Sequence, residues 1–312
     1  MDDMVLETRG LSKEFGGKTA VDGLTLRVRH GDIYGFLGPN GAGKSTAIRM
    51  MTGLIRPTCG SAALMGFDIR SHRTSALRRV GALVESPAFY RYLSARENLR
   101  ILGRMSGACD DGRVSRALEI VGLSGDADRK VGVLSQGMRQ RLGIGQAILL
   151  SPRLLILDEP TNGLDPQGMK DVRDLIVRMA REEDVTVFIS SHLLHEVEQI
   201  CTRVGIINHG RLLAEDGVRE LLSSDSGGIE LRVGDPRTAV EALRRMGIEN
   251  VSSPEGIENG RWKIEVRDPG CDSSKLNRGL VEAGVDVFEI RPKARTLEDL
   301  FLDLVREDAD AS

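Results

Sequence analysis

Residues Gly38-Pro39-Asn40-Gly41-Ala42-Gly43-Lys44-Ser45 fit the spacing G-x-x-x-x-G-K-[ST], and Thr46 opens a helix-compatible run that reaches Met51. Glycines free such a loop to turn its backbone N–H groups inward on a phosphate, and the start of the helix adds partial positive charge there. Lys44 is then placed to reach β- and γ-phosphates, and the Ser45 hydroxyl to ligate Mg²⁺. A plain Gly-rich strand-to-helix turn with a surface lysine is the competing reading; the apolar run at residues 33–37 favours the phosphate loop. Further on, the apolar residues 154–157 run into Asp158 and Glu159. Asp158 suits a magnesium shell, and Glu159 is placed to take a proton from attacking water. In isolation these would be two acids at a solvated turn. Together with the phosphate loop they point to phosphoryl chemistry, without choosing among kinases, GTPases and motor ATPases.

These groups need a sheet to hold them. Residues 33–37, 154–157 and 185–189 are nearly continuous apolar runs, as expected of parallel strands buried on both faces. The first 220 or so residues alternate such runs with amphipathic stretches, which predicts an α/β domain. An Arg-rich region with helical spacing, such as Leu99, Leu102 and Met105, predicts an inserted helical subdomain over about residues 71–150. It reads as a solvated face or, more specifically, as a protein-docking or nucleic-acid surface, the solvated face first.

A small polar stretch at residues 223–228 reads as a linker, so the predicted domains are 1–225 and 226–312. The second predicts strands at 229–233, 248–251, 262–266 and 285–290 and helices at 236–246 and 273–283. That is a small α+β, ferredoxin-like βαββαβ unit. An amphipathic helix with Leu297, Leu300, Phe301 and Leu304 on one face follows it. This part has no phosphate loop or acidic pair, so it reads as regulatory, as assembling a complex, or as dimer-stabilising bulk.

Composition narrows the field. In 312 residues, 46 acidic side chains outnumber 43 basic ones, which excludes a histone-like polyanion binder. Aromatics are only 4%, which disfavours single-strand nucleic-acid binding by base stacking. Cys59, Cys109, Cys201 and Cys271 lie far apart with no metal spacing, as fits reduced thiols. No secretory signal is visible, and no apolar run approaches the roughly 20 residues of a spanning helix. Any membrane role is therefore expected to come through a partner.

The stretch Leu134-Ser135-Gln136-Gly137-Met138-Arg139-Gln140-Arg141 resembles the signature motif of ATP-binding-cassette (ABC) ATPases. Thr161-Asn162-Gly163-Leu164-Asp165-Pro166 is similar to that family's D-loop, and Ser190-Ser191-His192 to its switch histidine. The resemblance covers about residues 5–222. It implies a P-loop NTPase fold, ATP and Mg²⁺ as ligands, and a second ATPase subunit, a homodimer being simpler than a heterodimer. It also implies a membrane-embedded permease and a place on the cytoplasmic face of the cell membrane. Gly38 through Thr46 and Ser135, Gly137 and Asp165 would hold the nucleotide; Glu159, His192 and Glu85 would surround the reacting phosphate. A lone histidine more often caps a helix, but in this constellation a γ-phosphate contact for His192 takes precedence. Ser135 and Gly137 would lie where a helix opening at Met138 aims at an anion. Phe15 stands where the family commonly stacks a Tyr on adenine, although it also reads as a core residue.

Two departures matter. Gln136 and Met138 replace the usual Gly and Gln of the signature, and Glu85 stands where most of these ATPases carry a Gln. With Tyr90 and Glu97-Asn98-Leu99, Glu85 resembles the bacitracin- and lantibiotic-immunity exporters. Thr296-Leu297-Glu298-Asp299-Leu300-Phe301 resembles the appended domain of the daunorubicin type. The implied function is ATP-driven export of an antibiotic, lipophilic drug or peptide. Glu85 would couple the nucleotide to the permease, with a surface-loop carboxylate as the bland alternative. A soluble cassette acting on nucleic acid or ribosomes is the rival reading, although such proteins typically carry two cassettes or a long coiled coil. A GTPase would need an Asn-Lys-x-Asp motif, and none occurs.

Overall fold

The computed structural model describes residues 4–107, 110–223, 228–257, 260–266, 272–292 and 296–310. Cys109, Cys271 and the linker residues 224–227 lie outside them. The chain divides into Met1–Gly217 and Val218–Ser312. That break precedes the expected linker, because the helix after Gly217 packs against the last helix of the second unit.

In chain order the first unit comprises β1 (Met4–Phe15), β2 (Lys18–Arg29), β3 (Ile33–Leu37), α1 (Lys44–Met51), β4 (Cys59–Leu64), β5 (Phe67–Asp68), α2 (Arg73–Leu77) and β6 (Val80–Leu83). Then come α3 (Ala95–Met105), α4 (Asp111–Ile120), α5 (Gln136–Ile148), β7 (Leu154–Asp158), α6 (Pro166–Glu182), β8 (Thr186–Ser191), α7 (Leu194–Ile200), β9 (Arg203–Asn208) and β10 (Arg211–Gly217). The central sheet runs β10-β9-β3-β8-β7-β6, with β9, β3, β8, β7 and β6 parallel. Every residue of β3, β7 and β8 is buried, which explains their unbroken apolar runs. The ring of Phe188 stacks on Tyr34 at 5.3 Å, tying β8 to β3 inside the core.

A second, antiparallel sheet has the order β2-β1-β4-β5. Its signal was present in β2, where Val21, Leu24, Leu26 and Val28 are fully buried while residues between them are not. None of the apolar runs named above predicts this sheet.

The expected helical subdomain needs correction at its start. Residues 80–83 form an edge strand of the central sheet beside β7, so the helical insertion begins only after Leu83. Gly81 makes this possible, because a Cβ there would collide with the Ala147 carbonyl of α5. The helices of the insertion start on polar caps: Ser94 and Glu97 form a capping box on α3, and Asp110 accepts from Arg113 N–H on α4. α5 opens at Gln136, earlier than the expected Met138, because Ser135 is its N-cap.

The second unit comprises α8 (Val218–Ser223), β11 (Ile229–Val233), α9 (Pro236–Arg245), β12 (Glu255–Ile257), β13 (Arg261–Val266), α10 (Ser273–Glu282), β14 (Val287–Pro292) and α11 (Leu297–Asp310). Its antiparallel sheet has the order β12-β13-β11-β14, that of a split βαβ fold, over a core that includes Leu231, Ile264, Leu276 and Leu280. Two strand expectations shift. Residues 248–251 are not a strand: Ile248 is buried from a loop, Val251 makes one bridge to Val266, and the strand is β12. Val285 closes α10 by donating its N–H to the Leu280 carbonyl, so β14 starts later than residue 285. Burial alone does not distinguish a paired strand from a buried turn. No helix among the described residues is long and apolar enough to cross a membrane.

Candidate functional site

β3 delivers the phosphate loop into a narrow slot. A Cβ at Gly38 would collide with the Ile207 carbonyl of β9, and one at Gly43 with the Ala20 carbonyl of β2. Gly41 and Gly43 adopt φ of 83° and 105°, where side chains are strained. Gly210 N–H donates to the Ala42 carbonyl at 2.9 Å, and Gly38 N–H reaches the Ser191 carbonyl at 3.4 Å. The loop is thereby held by its neighbours in the fold. Lys44 opens α1 with only 5% of its side chain exposed, its ammonium donating to the carbonyls of Gly38 at 2.7 Å and Pro39 at 3.1 Å. Ser45 and Thr46 share that first turn.

The acids stand opposite. Asp158 ends β7, and the Ser190 hydroxyl on β8 donates to its Oδ1 at 2.5 Å. The same Ser190 oxygen accepts Glu159 N–H at 2.9 Å. Glu159 has φ of 49°, left-handed backbone that costs a non-glycine residue roughly 1–2 kcal/mol. The Ser190 bond helps to hold that bend. Glu159 Oε1 lies 3.2 Å from the Lys44 ammonium, and Oε2 lies 2.7 Å from Nδ1 of His192. His192 is thus engaged with Glu159 and not with a helix end; Leu193, at the N-cap of α7, makes no side-chain cap bond either.

Glu85 follows β6 at φ of 70° and lines a cleft of about 320 Å³ with Pro87, Gln136, Arg139, Asp158 and Glu159. Its carboxylate pairs with Arg49 of α1. Phe15 is not a core residue: it is 51% exposed, with the Lys13 ammonium 5.0 Å from its ring centre.

Ser135, Gly137 and Asp165, expected to act on the phosphate loop of a second subunit, make local contacts in this one. The Ser135 hydroxyl accepts Met138 N–H at 3.2 Å, Gly137 packs toward Gly168 of α6, and the Asp165 carboxylate accepts Gly168 N–H at 3.2 Å. Among the described residues none of them hydrogen-bonds to the phosphate loop. Two contacts in the site are not legible in the sequence, those of Ser190 with the acids and of Arg49 with Glu85. Ser190 had a weak signal, its place beside Ser191-His192; Arg49 had none, since its partner is 36 positions away.

Comparison with known proteins identifies the lineage. The ABC transporter family model matches residues 21–162. Over 96% of this chain and 97% of its own length, the bacitracin transport ATP-binding protein BcrA of Bacillus licheniformis is 43% identical. The chain belongs to the ABC transporter ATP-binding proteins. The daunorubicin/doxorubicin resistance ATP-binding protein DrrA of Streptomyces peucetius is 37% identical over 98% of this ABC protein and 93% of its own chain. Among solved structures, the ADP conformation of MJ1267, an ATP-binding cassette of an ABC transporter, superimposes with a TM-score of 0.64 at 26% identity, covering 71% of this chain and 95% of its own. As an ABC ATPase the protein binds and hydrolyses ATP. BcrA and DrrA match through both units of the chain, so the smaller unit is part of what this branch of the ABC proteins shares.

Proposed function

We propose that this ABC ATPase powers the export of an antibiotic, lipophilic drug or peptide, on the cytoplasmic face of the membrane beneath a separate permease. The observation that carries the reading is the full-length similarity to BcrA and DrrA, two ATP-binding proteins named for bacitracin transport and for daunorubicin and doxorubicin resistance. The rival reading, action on nucleic acid or ribosomes, finds no support in these relatives.

On this reading each side chain has a task. Gly38 through Thr46 would cradle the phosphates, and the Lys44 ammonium would exchange its loop carbonyls for phosphate oxygens. Leaving Glu159 Oε1, it frees that oxygen to accept a proton from water, while His192 keeps the other oxygen fixed. Phe15, exposed at the end of β1, offers a face for adenine. A hydroxyl and a carboxylate are the hard oxygen donors that Mg²⁺ takes, and Ser45 and Asp158 would hold it. Bound there, Mg²⁺ would neutralise charge on the β- and γ-phosphates. Ser135, Gly137 and Asp165, away from their own loop, would complete the site of a second cassette.

Purification of the tagged protein from its native membranes is expected to bring with it a multi-span permease; recovery with ribosomes or nucleic acid alone would overturn the export reading. Light scattering on the Glu159→Gln variant with saturating ATP is expected to give twice the mass of one chain. A persistent monomer would count against the two-cassette site.

A further inference from the structure

We propose that Arg49 is a positioning residue for ATP hydrolysis: it holds the Glu85 carboxylate aside and neutral in effect, so that a glutamate works where this family commonly carries a glutamine. The inference rests on the reading that Glu85 borders the nucleotide.

Glu85, Asp158 and Glu159 line one cleft, and Glu159 joins it to the phosphate-loop Lys44 at 3.2 Å. Asp158 is tied to Ser190, and Glu159 to Lys44 and His192. Among the described residues the one charged partner of Glu85 is Arg49. Arg49 stands in the last turn of α1, the helix whose first residue is Lys44, so the phosphate-binding lysine and the Glu85 partner ride on one rigid element.

The Glu85 loop is anchored on its other side too. Pro87 lies so close to Gly143 of α5 that a Cβ at Gly143 would come within 2.9 Å of its ring. The loop therefore spans from the helix that begins at Lys44 to the helix capped by Ser135. Its left-handed backbone at Glu85 sets where the side chain leaves, and Arg49 sets where the carboxylate ends.

As a stability contact this pair is weak, because the two side chains are 39% and 64% exposed. Its effect is on charge. A carboxylate without Arg49 would repel the incoming phosphates, whereas an amide would not. The same substitution at Arg49 should thus be costly beside a glutamate and harmless beside a glutamine.

The test compares full-length wild type, Arg49→Gln, Glu85→Gln and the double variant in MgATP kinetics and thermal melting. Arg49→Gln is expected to lower kcat/KM by about tenfold. The double variant is expected to return to within roughly threefold of Glu85→Gln. Melting temperatures should be nearly equal across the set. An equal loss in both backgrounds would make Arg49 merely structural, and no loss in either would remove its role; both results overturn the proposal. If Arg49→Gln alone does not fold, Arg49→Lys, which keeps the charge, is read against the double variant. Arg49→Lys close to wild type together with a double variant close to Glu85→Gln supports the proposal, and a folded double variant far slower than Glu85→Gln, or an Arg49→Lys as slow as that, overturns it. Lys44→Ala serves as the control on the underlying reading: if it still bound ATP, the phosphate site itself, and not Arg49 alone, would be misplaced.

Discussion

Replacing Glu159 by Gln is expected to leave ATP bound while lowering hydrolysis by roughly 10²–10⁴-fold, the range for losing a positioned general base. The amide keeps the volume of the carboxylate and can still meet Lys44 through its oxygen and His192 through its NH₂, the groups that lie 3.2 and 2.7 Å from the two oxygens of Glu159. It cannot take a proton from water. Because the lost interaction belongs to the transition state, kcat falls and ground-state affinity survives. Equilibrium ATP binding and single-turnover hydrolysis on the same preparation check this. Hydrolysis at the wild-type rate would assign the proton to another group, and loss of binding would make Glu159 a ligand-holding residue instead.

Gly43→Ala is expected to abolish measurable ATP binding, whereas Gly41→Ala weakens it much less. Both glycines have positive φ, so both substitutions carry backbone strain of about 1–3 kcal/mol. The difference lies in the surroundings. A Cβ at Gly43 collides with the Ala20 carbonyl, a backbone atom that cannot swing aside, whereas a Cβ at Gly41 meets nothing within 4 Å. The collision pushes the loop off β2 and misdirects the N–H groups that would face phosphate. Calorimetric titration with ATP, alongside thermal melting, separates the two variants. Equal affinities would show that the slot between β2 and β9 does not hold the loop.

What could be read before any coordinates depended on whether the signal was local. The phosphate loop, the acids after β7 and the three buried strands are contiguous runs, and each landed within a few residues of its place. The short strand β6 was hidden because its four residues follow Arg78-Arg79 inside an Arg-rich stretch, and only pairing with β7 makes it a strand. In the smaller unit, Ile248 and Val251 advertise burial but not pairing, so the strand was assigned to the wrong side of Pro254. The Ser190 clamp on Asp158 and Glu159 and the Arg49 contact to Glu85 join positions that neither periodicity nor motif connects. The contacts of buried Glu196 with buried Thr161 and with the partly exposed Arg173 are of the same kind.

The strand order carries a consequence for how the protein is made. β3 leads straight into the phosphate loop and lies between β8 and β9. Both neighbours are synthesised long after it, while β1 pairs early with β2 and with β4. On the ribosome the N-terminal antiparallel sheet can therefore assemble while β3 still waits for both flanks. Such distant pairing is slow to close, because the loop entropy is spent before the contacts form. The loop that would grip ATP is among the first segments translated, yet its β9 wall is among the last parts of the unit to arrive. A nascent chain stalled before Ile207 would lack the carbonyl against which Gly38 sits. Nucleotide could then act as a folding ligand only after that point, when translation has nearly reached the smaller unit.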